Sequence, residues 1–163
     1  MVIALFSREI NDSTKNVINS FFLSNHAKHS KFFIEKNILD VLENTEDLNL
    51  VPFETSNDLD SSIDIMVSIG GDGTFLRCIE FIRELDIPVM GINTGNLGFL
   101  ATSKKEDIND SISKIFHKDF NVENRTLIKV NSNEIGINDS VFPYALNEVS
   151  VVRKDTTSMI NIK

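Results

Sequence analysis

The chemistry open to this sequence is concentrated in the run VSIGGDGTFL, where glycines at 70, 71 and 73 surround Asp72. The glycines fall between a β-branched apolar stretch and the start of a helical pattern. There, free backbone amides and the positive end of a helix dipole favour an anion, which makes the segment a natural phosphate cradle. No Gly-Lys-Ser/Thr closes it, so it is not a Walker A loop, and its glycine spacing is not GxGxxG. The same residues would also serve as a tight strand-to-helix turn that uses glycine's freedom at positive φ. Asp72 weighs against that plainer use. A carboxylate beside a phosphate repels it unless it has a task, such as accepting a proton from an attacking hydroxyl or holding a metal ion.

A second glycine-bearing segment, GINTGNLGFL at Gly91 to Leu100, follows a predicted strand ending at Ile92. Glycines at 91, 95 and 98 let backbone pass close to a ligand or to a neighbouring domain. Leu97, Phe99 and Leu100 read as anchors in the core.

GGDGT at Gly70 to Thr74 is similar to the signature shared by NAD kinases and diacylglycerol-type lipid kinases. GINTGNLGFL and then ALNEVSV at Ala145 to Val151 resemble the second and third NAD-kinase motifs in the right order, and that order selects the NAD kinases. The resemblance runs from about Ile63 onward, and the residues before it agree in their β-α pattern. It implies a nucleotide-binding kinase, a transferase that moves a phosphate from ATP, another nucleoside triphosphate or polyphosphate to the 2'-hydroxyl of the adenosine ribose of NAD, giving NADP. A divalent cation, Mg2+, is implied with it.

Carried over position by position, the resemblance makes Asp72 the general base and sets Gly73 beside it as a backbone contact. It gives Arg77 a ligand phosphate, although Arg77 also reads as a solvated side chain near Glu80. Asn147 and Glu148 would bind the dinucleotide through sugar hydroxyls and base edges; as residues alone they are a polar pair at a strand end. Ser158 matches a position near the dinucleotide. The resemblance also implies homo-oligomeric assembly and a longer, β-rich second domain, so the 163-residue chain is expected to make no NADP by itself. A lipid kinase sharing GGDGT and a catalytically inactive dinucleotide-binding fragment are the rival readings. The first would go with a basic or apolar membrane-facing surface.

The elements that must hold these residues follow from periodicity. Val2 to Phe6, Phe32 to Ile34, Ile63 to Ile69 and Val89 to Ile92 read as short strands buried on both faces. Between them come a helix capped by Asp12 or Ser13 with Val17, Ile18, Phe21 and Phe22 on one face, and a short helix over Ile38 to Leu42. A further helix opens at Thr74, with Phe75, Leu76, Ile79 and Ile82 on one face, and the last spans Asp107 to Phe116. Asn44 to Ser62 reads as a polar, acidic connection. Alternating strands and helices predict an α/β fold: a doubly wound parallel-sheet domain over residues 1–121, followed over 122–163 by the beginning of a β-rich domain. In that second part, strand-like runs fall near Leu127 to Val130, Tyr144 to Val152 and Met159 to Ile162.

Composition limits the alternatives. Hydrophobic residues at 41% and charged residues at 25% predict an ordinary globular core. With 24 acidic against 16 basic residues the formal charge is -8, which disfavours nucleic acid and anionic membrane surfaces as partners. No apolar run approaches a membrane span, and the start MVIALFSREI lacks a signal peptide's basic region, so a cytoplasmic location is expected. Cys78, the single cysteine, reads as a buried thiol on a helix, and His26, His29 and His117 have no metal-ligand spacing with it.

Overall fold

A computed structural model describes residues 1–43, 45–95, 98–101, 103–130, 142–150 and 152. The chain divides into two compact units, Met1–Val122 and Glu123–Lys163. In the first, strand β1 (Val2–Phe6) forms where its apolar run predicts it. Helix α1 (Asp12–Phe22) follows, capped by Asn11 rather than by Asp12 or Ser13. The Asn11 side chain accepts the Thr14 N–H at 3.0 Å, which leaves Asp12 in the first turn, where an acid favours the helix dipole. Val17, Ile18 and Phe21 are buried, and Phe22 meets Phe32 edge to face.

Strand β2 (Lys31–Glu35) leads into the one-turn helix α2 (Lys36–Leu39) and then β3 (Asn49–Phe53). The last of these lies inside the stretch expected to be polar connection. Pro52 is what hides it, since proline cannot donate to a ladder and argues against a strand anywhere but an edge. An edge is where β3 lies, with β2 as its one neighbour and Pro52 opposite Ile34.

Strand β4 (Ile65–Ile69), helix α3 (Asp72–Ile82), strand β5 (Val89–Ile92) and helix α4 (Ile108–Phe116) complete the unit. The sheet is parallel throughout, in the order β3-β2-β1-β4-β5. Side chains alternate between two apolar layers. Ile3, Leu5, Ile34, Val67 and Ile69 join α1 and α4 on one side. Ala4, Phe6, Phe33 and Met66 join Cys78 of α3 on the other. Helices cover both faces, which is why the central strands read as unbroken apolar runs. The doubly wound α/β fold is the one expected.

Asp64 fastens the entry to this sheet. It accepts the Val2 N–H at 2.8 Å and the Lys118 ammonium at 2.9 Å. Partial burial works against the charge, but the Val2 amide and then Lys118 outweigh it and hold the carboxyl below its ordinary value.

In the second unit, strand β6 (Ile128–Lys129) pairs antiparallel with β7 (Tyr144–Ala145). The Val130 N–H donates to the Pro143 carbonyl at 2.8 Å. The strand expected over Met159 to Ile162 lies outside the described residues.

Candidate functional site

β1 and β4 lie side by side although the chain passes through β2 and β3 between them. Open α/β sheets bind ligands outside the carboxyl ends of the strands at such a reversal. Gly70 to Gly73 leave β4 at that edge. Gly70 has φ 153°, and a Cβ there would lie 2.5 Å from the Thr74 Oγ1. Glycine is therefore required both for the backbone angle and for the Thr74 side chain folded back over it. Gly71 is extended and caps α3 without a side-chain bond, so the helix begins at Asp72, two residues before the expected start at Thr74. The amides of Asp72 and Gly73 thus head the helix, where N–H groups have no intrahelical acceptor.

The Asp72 side chain turns toward the second glycine-bearing segment. Its Oδ2 accepts the Phe99 N–H at 2.8 Å, and its Oδ1 accepts the N–H groups of Leu100 at 3.0 Å and Ala101 at 3.1 Å. The Ala101, Phe99 and Leu100 amides hold the carboxyl below its ordinary value, with slight desolvation opposing them. Asp72 is therefore a fixed carboxylate at neutral pH. Gly98 lies against it: a Cβ at that position would be 2.5 Å from the Asp72 Cγ.

The loop that carries these amides is itself pinned. The Asn93 side chain accepts the Gly95 N–H at 2.8 Å as the chain leaves β5. On its return the Asn93 N–H donates to the Ser103 carbonyl at 2.8 Å, and the Ser103 N–H to the Gly91 carbonyl at 3.2 Å. Ala101 is fully buried between these anchors. Phe99 is not the core anchor expected from its type, because its amide faces Asp72 and its ring is 96% exposed. Leu100 is partly buried, and Leu97 lies outside the described residues.

The expected site residues are thus distributed as follows. Asp72 and Gly73 share the head of α3. Arg77, one turn along, is exposed and ion-paired with Glu80, the solvated arrangement weighed for it above. Asn147 and Glu148 follow β7 in the second unit and are exposed, while Ser158 lies outside the described residues. Sequence reasoning missed the three amides on Asp72, which no side-chain type announces. It also missed Arg8, whose Nη1 lies 3.7 Å from the point a Gly73 Cβ would occupy; a cation two residues past the end of β1 was the available signal. Among the described residues no group of three or more His, Cys, Asp or Glu could hold a metal ion, and no helix is long and apolar enough to cross a membrane.

This fold and this edge define a class: a doubly wound α/β protein with a glycine-rich strand-to-helix turn at the carboxyl end of its sheet and a carboxylate fixed beside it. Comparison with known proteins narrows the class. The model of the ATP-NAD kinase N-terminal domain matches residues 14–120. An NAD kinase of Flavobacterium johnsoniae is 34% identical over 165 residues, covering 100% of this chain and 56% of that protein. One of Flavobacterium psychrophilum is 39% identical over 167 residues with the same coverages, 100% and 56%. A crystal structure of yeast NADH kinase complexed with NADH superposes with a TM-score of 0.58 at 17% identity, over 72% of this chain and 36% of that one, a likeness of fold. The chain belongs to the NAD kinase family. It spans about half the length of the curated relatives it matches.

Proposed function

We propose that the protein phosphorylates NAD to NADP, with ATP, another nucleoside triphosphate or polyphosphate as donor and the 2'-hydroxyl of the adenosine ribose as acceptor. The observation that carries this reading is the Asp72 carboxylate, fixed by three amides at the head of α3 and at the carboxyl edge of the sheet. As the ribose oxygen attacks the terminal phosphorus, Asp72 accepts the hydroxyl proton, and the bond from that phosphorus to the bridging oxygen breaks, releasing the shortened donor, ADP where ATP is used. The amides of Asp72 and Gly73 at the head of α3 and the dipole of that helix then face the negative charge on the transferring oxygens. Arg77, Asn147, Glu148 and Ser158 serve as dinucleotide contacts in this reading, with Gly73 beside the base. The lone cysteine suits a cytoplasmic enzyme, and membership of the family is the reason to expect assembly from identical subunits. Among the described residues no group of three or more His, Cys, Asp or Glu could hold Mg2+, so donor phosphates would supply several of its ligands.

The test is Asp72→Asn in the complete gene product. Loss of a general base should lower kcat by about 10²–10⁴-fold while NAD still binds. Asparagine is not a pure isostere at this position, because its NH2 group cannot accept the Phe99 N–H, so the melting temperature is measured alongside. Unchanged turnover would remove Asp72 from the chemistry. Loss of NAD binding together with activity would make it a ligand-holding group instead.

A further inference from the structure

Gly98 has no side chain, and the space where one would lie is filled by the Asp72 carboxylate. A carboxylate offers about four acceptor positions. Two on Oδ1 are taken by Leu100 and Ala101, and one on Oδ2 by Phe99. The open position is on Oδ2. We propose that Gly98 is a positioning residue for the phosphoryl transfer: its bare face seats the Asp72 carboxylate on three amides, so that Oδ2 alone is left to take the ribose proton.

This rests on the reading of Asp72 as the base. Its steric part stands independently. Residue 98 reaches Asp72 from the loop after β5, and the three amides follow one another immediately after Gly98, so any shift of that residue moves all three donors together. The carboxylate itself is tethered at the first residue of α3 and cannot retreat without unwinding that turn. An alanine methyl would therefore push the carboxyl group off its donors. The groups around Asp72 are few: Arg77 on its own helix is paired with Glu80, Arg8 lies over Gly73, and residues 98–101 bring amides and no charged side chain. Backbone amides are therefore what Gly98→Ala takes away.

The experiment has two readouts. Carbon-detected carboxyl titration of the 163-residue chain reads the seating directly, and the midpoint of Asp72 should rise in Gly98→Ala. In the complete gene product the same substitution should lower kcat by about 10²-fold, the scale of an ångström-sized misplacement. The KM for NAD should stay within about twofold, and the acid limb of the kcat profile should move to higher pH. Phe99→Pro is the second variant, because it deletes the donor to Oδ2 without disturbing a buried side chain. It should shift the titration in the same direction. Gly95→Ala is the comparison for stiffening the loop, since a Cβ there meets nothing within 4 Å. An unmoved Asp72 titration in both variants, or an equal loss of kcat in Gly95→Ala, overturns the seat. A moved titration with an unmoved pH profile overturns Oδ2 as the proton acceptor while leaving the steric contact in place.

Discussion

Asp72 accepts the amides of Phe99, Leu100 and Ala101 in a space that Gly98 leaves open by having no side chain. The carboxylate among glycines is visible in the sequence, because an acid beside an anion turn demands an explanation. Its seat is not visible, since Phe99 meets it across 27 residues and through an amide that every residue type but proline carries. The same amides give a pH dependence. A carboxyl held below its ordinary value stabilises the fold above the value it has in the unfolded chain, and that contribution disappears as pH falls through the folded value. Asn147 and Glu148 call for a separate test, being exposed after β7. Replacing both with alanine should weaken NAD binding, each lost hydrogen bond costing about 1–3 kcal/mol, with the fold retained. Wild-type affinity by calorimetry would return them to an ordinary polar pair at the end of a strand.

Helix α3 and the elements around β1 carry predictions of their own. Cys78 is fully buried under the sheet, its thiol facing the Thr74 carbonyl at 3.5 Å. Burial pushes its pKa up to about 12, with the Ser68 hydroxyl and the helix backbone pulling the other way. A thiol reagent should therefore react only as fast as the domain opens, and reaction at the rate of an exposed thiol in native buffer would contradict the packing. The buried thiol was legible in the sequence because its neighbours repeat at helical spacing. The start of α3 was not, since Thr74 resembles a cap while the extended Gly71 performs that role without a side chain. Asp64→Asn should cost about 1 kcal/mol at neutral pH, since its ion pair is partly exposed. Because the Asp64 carboxyl is held low, the loss should shrink as pH falls through its folded value. Urea melts of the variant at neutral and acid pH would show this, and a loss independent of pH would contradict it.

At the scale of the whole molecule, the alternation of apolar strands with amphipathic helices was enough to give a doubly wound sheet, because only burial on both faces explains strands such as Ile65–Ile69. The order of the strands was not readable, nor was β3, whose proline is acceptable only at the edge that the order creates. Central packing then decides stability. Phe21 is fully buried and meets Phe116 of α4 edge to face at 6.3 Å, and Phe21→Ala should cost about 3–5 kcal/mol in a denaturant titration. If this α/β unit serves an enzyme that makes NADP, the complete gene product forms NADP from NAD and ATP, which an NADP-specific dehydrogenase follows. NADP should accumulate with wild-type protein and fall by at least about 10²-fold with Asp72→Asn. No NADP from a folded wild-type protein, or equal formation by the two, would contradict the claim.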